Sequence, residues 1–340
     1  MSHANALPAW ESYEESSYIA LDHLPGFKTA DLSALKLAYE RQNPTAPHYQ
    51  NLEDFRDFLT HGFRAQQLRT PSTDQGTLTG YFQPILKASR TQSAAFSVPV
   101  YKRPEELIVI ENLGNFNKSL KGFRIAGTLS NQTLTPYFTR REIHQGALEN
   151  RHLEIAYVQN PIDLFFMHIQ GSGRLELEDG TILNLSYNGT NGYGYTAIGQ
   201  EMVRQGFIPP QEKTMAGVKA WLFENPDKVQ DILCCNESYV FFQELPQTVG
   251  PVGAAHVILT PEATLAVDPD FIPLGSLVWI DTSHPLNPTL RLQRLMIAQD
   301  VGGAIKGPLR GDFYWGIGDD AGKAAGAMQG QSTFHILVPQ

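Results

Sequence analysis

From Gly76 onward the chain consists of short apolar segments separated by glycine and proline, and this spacing limits its fold more than any other feature of the sequence. Thr77–Phe82 and Phe96–Tyr101 are typical, with a few β-branched and aromatic residues followed by a turn residue. Segments of this length and composition favour β-strands. Asp179-Gly180 lies between two alternating segments and predicts a tight β-hairpin. The pattern therefore predicts a mostly β protein.

Helical periodicity is confined to a few flanking or intervening segments. Residues 29–42 place Leu32, Leu35 and Tyr39 on one face, and Asn51 can cap a second helix that follows. The other predicted helices cover residues 139–148, where a capping box begins, 196–205, a segment after Thr214, and 226–234. The other predicted strands cover residues 153–158, 163–169, 239–242, 277–280, 292–298 and 334–338.

The length of the chain indicates the number of domains, and its net charge limits the kinds of partner it can bind. The chain has 340 residues, and a single core rarely grows past about 250 to 300 residues, so we expect two domains. The predicted secondary structure changes from helices to strands near residue 80, and from a mixture to strands near residue 245. The net charge is −9, with no basic run, and such a surface repels a polymer of phosphates. Nucleic acid is therefore excluded as a partner.

Cysteine and histidine carry no sign of a redox or metal site. Cys234 and Cys235 are adjacent, and neighbouring Cα atoms lie about 3.8 Å apart, closer than an unstrained disulfide allows. We expect both to be buried thiols. None of the ten histidines belongs to a ligand spacing such as His-Glu-x-x-His, so we expect no cofactor and no metal.

The residues best suited to catalysis lie in the glycine-rich segment 300–318, which we predict to be a loop. It holds six glycines, the carboxyl groups of Asp300 and Asp312, and three consecutive aromatic residues that begin at Phe313. Glycine lets backbone approach a ligand closely, and a carboxyl group beside aromatic rings can keep its proton near neutral pH. A general acid would need that property. Alternatively, both aspartates only accept hydrogen bonds from turn backbone, and the segment alone leaves the two interpretations open.

A third aspartate, Asp268, lies in residues 266–280, which resemble the beginning of the structural unit that contains Asp300 and Asp312. With Asp300 and Asp312 it resembles the three-aspartate signature of the double-psi β-barrel domain in the membrane-bound lytic murein transglycosylase A family. Further motifs of that family stand upstream in the same order, in residues 79–84, 99–104, 141–148, 165–173 and 187–195. The resemblance covers roughly residues 75 to 338.

The resemblance implies a fold that is mostly β with flanking α-helices. A discontinuous double-psi β-barrel domain with N-terminal helices is expected from residues 1–103 and 241–340. A second, β-barrel-like domain would interrupt it at residues 104–240, with a substrate groove between the two.

The resemblance also implies a reaction. The family cleaves the β-1,4 bond between N-acetylmuramic acid and N-acetylglucosamine in peptidoglycan without water, leaving a 1,6-anhydro end, and the chain would be such a lytic exotransglycosylase, a lyase. A hydrolysing glycosidase pairs two carboxyl groups. Here the muramic O6 hydroxyl replaces water, so one residue can act first as acid and then as base. By this resemblance, Asp312 occupies the catalytic position of the family, with Asp300 as its auxiliary and Asp268 as a support for the loops.

Eight further side chains are predicted to bind the glycan, because aromatic faces stack on sugars and amide or hydroxyl groups bind their polar substituents. These are Tyr81, Gln83, Gln170, Ser172, Tyr193, Tyr195, Lys306 and Trp315. Purely structural roles are the alternatives for these residues. The aromatic residues can belong to the core, Lys306 can be a solvated turn lysine, and residues 170–173 can form a β-bulge.

Two other functions stay open on the residues alone. Double-psi barrels also serve in non-catalytic wall-loosening proteins, so the chain could be a glycan-binding module, and Asp300 with Asp312 could form the carboxylate pair of a hydrolase. The expected partners are peptidoglycan glycan strands and other cell-wall enzymes, and the expected state is a monomer. The substrate lies outside the cytoplasmic membrane, so we expect a lipoprotein on the periplasmic face of the outer membrane, whose leader and lipidated cysteine this sequence does not include.

Overall fold

The structure, a computed structural model, describes residues 18–110, 112–120, 123, 125–246 and 250–340. In these ranges the α-helices are α1 (Ser33–Gln42), α2 (Leu52–Gly62), α3 (Arg140–His144), α4 (Pro161–Gln170), α5 (Ile198–Arg204), α6 (Met215–Glu224), α7 (Val229–Leu233) and α8 (Asp319–Ala327). The first strands are β1 (Ile19–Ala20), β2 (Phe63–Gln67), β3 (Gly76–Gln83), β4 (Ile85–Ser89), β5 (Val98–Tyr101), β6 (Ile108–Ile110), β7 (Ile125–Ser130), β8 (Thr133–Thr135) and β9 (Glu154–Val158). The remaining strands are β10 (Ser172–Leu177), β11 (Ile182–Thr190), β12 (Val240–Leu245), β13 (Thr264–Val267), β14 (Leu277–His284), β15 (Asn287–Val301), β16 (Arg310–Ile317) and β17 (Gln329–Pro339). No helix within the described residues is long and apolar enough to cross a bilayer.

Two compact units divide the chain. One consists of Met1–Phe82 with Gly250–Gln340, and the other of Gln83–Val249. The predicted boundaries, 103/104 and 240/241, differ from these because β4, β5 and β12 all pair within the sheet of the second unit. Residues 1–17 of the predicted first domain lie outside the described residues. The changes of predicted secondary structure near residues 80 and 245 mark the boundaries more closely than the motif positions do.

The first unit is a closed β-barrel. Its ring runs β17, β14, β15, β13, β16 and β3, and β3 pairs back to β17. The β13–β15 pair is parallel, whereas β13–β16, β14–β15 and β14–β17 are antiparallel. A closed ring leaves no unpaired strand edge. The predicted mostly β fold with a barrel interrupted by a second domain is confirmed.

Alternation along the barrel strands explains where the two cores of this unit lie. On β14, Val278 belongs to the cluster that includes Phe313 and Phe334, while its neighbour Trp279 packs with Phe27 in a second cluster against the N-terminal helices. Successive side chains of a strand point to opposite faces. Both faces of these strands are therefore buried, which is why the sequence there is continuously apolar.

The second unit contains a six-stranded sheet in the order β12, β11, β10, β4, β9 and β5. A bridge between Lys102, just after β5, and Phe242 of β12 joins the two ends of this sheet, so it closes like a barrel. A small sheet of β6, β7 and β8 accompanies it. Cys234 is buried and Cys235 partly so, and burial raises the pKa of both thiols. The expectation that both are buried thiols holds for Cys234 and only in part for Cys235.

Local signals identified most of the helices and the hairpin. The Asn51 side chain accepts a hydrogen bond from the Asp54 amide at the start of α2, and Thr139 with Glu142 forms the predicted capping box of α3. The hairpin of β10 and β11 turns at Gly180, whose φ is +82°. Only a residue without a Cβ adopts such a backbone at little cost.

Two predictions of secondary structure are wrong. Residues 163–169 form helix α4 and not a strand: Asn160 accepts a hydrogen bond from the Asp163 amide at 2.8 Å, Pro161 occupies the first turn, and Gly171 ends the helix at φ +72°. These start and stop signals outrank the apolar run, which has no clear period. The segment 300–318 is also not a loop throughout, because Arg310–Ile317 forms strand β16.

Candidate active site

The register of three barrel strands brings Asp300 and Asp312 together. Ala266 on β13 lies opposite Asp300 on its parallel neighbour β15 and opposite Asp312 on its antiparallel neighbour β16. Residues that face each other across a sheet project to the same side. Asp268 follows two residues after Ala266, just beyond the end of β13. All three aspartates therefore lie at one end of three adjacent strands.

Asp312 accepts a hydrogen bond from the hydroxyl group of Thr79, and that hydroxyl group accepts one from the guanidinium of Arg310. Thr79 Oγ1, on β3, donates a hydrogen bond to Asp312 Oδ1 at 2.5 Å. Arg310 Nη2, two residues before Asp312, donates to the same Thr79 oxygen at 2.8 Å.

Burial decides the protonation of Asp312. It raises the pKa of this carboxyl group from its ordinary value of 3.8 to about 6, because the lowering by the Thr79 hydrogen bond and the Arg310 charge is smaller, and Asp300 adds a further increase. An acid with this pKa can both give and take a proton near neutral pH.

Asp300 accepts hydrogen bonds from three donors. Its Oδ1 accepts from the Ala254 amide at 3.1 Å and the Val301 amide at 2.9 Å, and its Oδ2 accepts from the Tyr81 hydroxyl at 3.0 Å. Burial raises the pKa of Asp300, although these three donors oppose the increase. Burial and the two nearby carboxyl groups raise the pKa of Tyr81 well above its ordinary value, so its hydroxyl remains a donor.

Asp268 supports the neighbouring loop. It is 3% exposed, its Oδ2 accepts from the Gly307 amide at 2.8 Å, and its Oδ1 accepts from the Asp270 amide at 3.3 Å. Lys306 Nζ lies 3.8 Å from Asp268 Oδ1, with two thirds of the lysine side chain exposed. These contacts tie the segment between β15 and β16 to the end of β13. They are compatible with the supporting role that the family resemblance implies, which stays a prediction.

Trp315 has the contacts of a core residue. Its ring lies 4.6 Å from that of Phe313 and 5.8 Å from that of His284, and its Nε1 donates to Met328 Sδ at 3.1 Å. The side chain is half-buried against the barrel core. Of the two interpretations from the sequence, this geometry supports the core one over a sugar-stacking face.

Five of the predicted glycan contacts belong to the second unit. Gln83 has no exposed surface, and its Oε1 accepts a hydrogen bond from Arg174 Nε at 3.1 Å. Gln170 and Ser172, both half-buried, flank the glycine between α4 and β10. Tyr193 is half-buried and Tyr195 is 54% exposed in the segment after β11.

Buried amide side chains hold the segment that carries the two tyrosines. Asn191 is fully buried, donates to the carbonyls of Phe138 and Glu237, and accepts from the Tyr239 amide at 2.8 Å. The Asn236 side chain accepts from the Thr196 amide at 3.0 Å. The segment that presents Tyr193 and Tyr195 is thus fixed at both ends.

Sequence reasoning missed two side chains of the site, Thr79 and Arg310. A signal for both was present, because residues two apart on a strand face the same side. Thr79 stands two residues before Tyr81, and Arg310 two residues before Asp312. Recognition of residues 310–317 as a strand would have placed Arg310 beside Asp312.

Comparison with known proteins agrees with this architecture. Residues 77–243 match the MltA specific insert domain, and residues 263–338 match the 3D domain. Membrane-bound lytic murein transglycosylase A of Escherichia coli strain K12 is 34% identical over 282 residues, which are 80% of this chain and 68% of that protein. The chain belongs to the membrane-bound lytic murein transglycosylase A family. Membership confirms the family and the lytic transglycosylase function predicted from the sequence.

Solved structures of the family share the fold. The membrane-bound lytic murein transglycosylase of Agrobacterium tumefaciens has a TM-score of 0.84 at 29% identity, covering 95% of this chain and 97% of that one. MltA of Neisseria gonorrhoeae, in its monoclinic form, has a TM-score of 0.81 at 30% identity, covering 95% and 92%. Escherichia coli MltA with bound chitohexaose has a TM-score of 0.74 at 26% identity, covering 91% of each chain.

Proposed function

We propose that this chain cleaves the β-1,4 bond between N-acetylmuramic acid and N-acetylglucosamine in peptidoglycan without water, with Asp312 as the single acid and base. The observation that carries the proposal is the environment of Asp312. Its carboxyl group is held by Thr79, has Asp300 as a neighbour, and has a pKa raised to about 6. Such a group is protonated in a useful fraction of molecules and can also lose its proton during the cycle.

The reaction then needs one carboxyl group. Protonated Asp312 gives its proton to the glycosidic oxygen as the bond from that oxygen to C1 breaks. The resulting carboxylate accepts the proton of the muramic O6 hydroxyl as O6 forms a bond to C1. The products are a free hydroxyl on the leaving sugar and a 1,6-anhydro end, and Asp312 is protonated again. Because O6 belongs to the same sugar, the attack is intramolecular and needs no bound water.

Asp300 acts on Asp312 through its charge. Its own oxygens accept three hydrogen bonds, so we assign it the auxiliary role of raising the pKa of Asp312. A hydrolase would need a second carboxylate free to attack C1 or to activate water. The donors around Asp300 favour the single-acid mechanism over that pair.

Glycan binding is assigned to the exposed or half-buried members of the predicted set. Tyr193 and Tyr195 offer ring faces on a firmly held segment, and Gln170, Ser172 and Lys306 offer polar groups. Tyr81, Gln83 and Trp315 have internal partners, and their contact with sugar stays a prediction. The chitohexaose complex of Escherichia coli MltA supports a β-1,4-linked amino-sugar chain as the ligand class.

We also propose a site of action. The relatives are named membrane-bound, and peptidoglycan lies outside the cytoplasmic membrane, so the protein would act as a lipoprotein on the periplasmic face of the outer membrane. We expect a monomer that works beside other cell-wall enzymes. Fractionation of cells and gel filtration of the purified protein test the two statements, and recovery in the cytoplasm would contradict the first.

Product analysis tests the reaction. Asp312→Asn keeps the shape of the side chain but cannot transfer a proton, so turnover of peptidoglycan should fall by about 10² to 10⁴. Mass spectrometry of the wild-type digest should show 1,6-anhydromuropeptides. Asp320→Asn, at an exposed carboxyl group in the first turn of α8, is the matched control and should retain activity. Full activity of Asp312→Asn would reject the single-acid mechanism, and reducing ends in the wild-type products would indicate a hydrolase.

A further inference from the structure

The hydrogen bonds around Asp312 have a direction, and that direction distinguishes its two oxygens. Arg310 is only a donor, so its contact to Thr79 Oγ1 at 2.8 Å occupies a lone pair of that oxygen. The Thr79 hydrogen is then directed to Asp312 Oδ1 at 2.5 Å. Oδ1 is therefore an acceptor whether the carboxyl group is ionised or not.

We propose that Arg310 and Thr79 form a positioning relay that keeps Asp312 Oδ1 as an acceptor and leaves Oδ2 as the oxygen that gives the proton to the glycosidic oxygen and later accepts the O6 proton. The inference rests on the proposed role of Asp312. The bonds made and broken are those of the reaction above. What the relay adds is that one carboxyl oxygen handles both transfers while the other anchors the group.

The relay is itself held in place by backbone. Arg310 Nη1 donates to the carbonyls of Thr77 at 3.3 Å and Gly311 at 2.5 Å. The guanidinium is thus fixed by groups on β3 and β16, the two strands that carry Thr79 and Asp312. A fixed donor orients its acceptor at a smaller entropic cost than a mobile one.

The charged and titratable groups that face Asp312 come from its own and neighbouring strands. Arg310 lies on β16, Tyr81 on β3 and Asp300 on β15. The hydrogen bond from Thr79 and the charge of Arg310 both favour the ionised carboxyl group, whereas Asp300 opposes it. Loss of either relay member should therefore raise the pKa of Asp312. Since the reaction begins with protonated Asp312, its rate falls as pH rises through that pKa, and the basic limb of the profile reports the change.

Thr79→Val removes the hydroxyl group with little change in shape and tests the proposal. We expect the plateau of kcat on peptidoglycan to fall about 10-fold, because the anchor of Asp312 is lost. We expect the basic limb to move up by about 0.5 to 1 pH unit, because a bond to the ionised form is lost. Thr79→Ser keeps the hydroxyl group and should restore the wild-type limb. Arg310→Gln should move the limb in the same direction as Thr79→Val.

Thr282→Val is the matched control, since Thr282 is a buried barrel threonine whose hydroxyl donates to the Gln331 carbonyl. It lies opposite Leu292, eight residues before Asp300 on β15. This variant should lose stability and keep the wild-type limb. A folded Thr79→Val enzyme with an unmoved limb, or with a limb moved to lower pH, would overturn the relay. If Asp312→Asn remains active, the proposed function fails instead, so the two failures are separate.

Discussion

Replacement of Asp312 by asparagine should stabilise the protein at high pH while it stops the reaction. The carboxyl group sits where burial raises its pKa from 3.8 to about 6. Folding therefore opposes its ionisation, and each pH unit of that difference corresponds to about 1.4 kcal/mol. The product gives an upper bound of about 3 kcal/mol, and the partial exposure of the side chain reduces the expected gain to about 1 to 2 kcal/mol.

The sign of the effect follows from the raised pKa. Below the ordinary value of 3.8 the carboxyl group is protonated in both folded and unfolded chains, so wild type and Asp312→Asn should be equally stable apart from small packing effects. As pH rises from 3.8 to about 6, the unfolded chain releases this proton while the folded chain keeps it. Wild type therefore loses stability relative to the variant over this range, and the loss is complete above about 6. Asparagine can still accept the Thr79 hydrogen bond through its amide oxygen.

Urea unfolding at about pH 4 and about pH 8 measures this difference, with midpoints converted through the slope of each transition. The stability advantage of the variant should be small at about pH 4 and larger at about pH 8. Asp320→Asn, at an exposed carboxyl group, should show no such gain. An equal difference at both pH values, or a variant that is less stable at about pH 8, would refute the conclusion that burial raises the pKa of Asp312.

Three further outcomes are expected. Asp300→Asn removes a charge that raises the pKa of Asp312, so the basic limb of the pH–rate profile should move to lower pH with a smaller loss of turnover than Asp312→Asn shows; an upward shift would contradict the auxiliary role. Trp315→Ala should lower the free energy of unfolding by about 2 to 4 kcal/mol, as loss of a half-buried aromatic side chain implies. Chitohexaose affinity measured by calorimetry should stay unchanged in the folded variant, and a loss of affinity would show that the ring contacts sugar. Asp268→Ala removes the acceptor of the Gly307 amide and should cost about 1 to 3 kcal/mol in urea unfolding; a variant as stable as wild type would show that the loop does not depend on this bond.

Local signals account for the parts of the fold that the sequence predicts well. Asn51 and Thr139 cap helices because their side chains satisfy nearby amides, and Asp179-Gly180 turns a hairpin because glycine accepts a positive φ. These effects act within a few residues. Asn160 and Pro161 carry the same kind of signal for α4, and they outweigh the apolar run that predicted a strand there.

The pattern of residues along the chain is enough to establish the β-rich character and, through the order of the motifs, the family, and it predicts three aspartates as the chemical centre. The contacts that set the pKa values of Asp300 and Asp312 arise from folding. Thr79 is 233 residues from Asp312, and Tyr81 is 219 residues from Asp300. Closure of the barrel and the register at Ala266 bring these pairs into contact. A pKa depends on burial and on charges within a few ångströms. Arg310 is close to Asp312 along the chain, but the burial of Asp312 and its approach to Asp300 come only from the folded barrel.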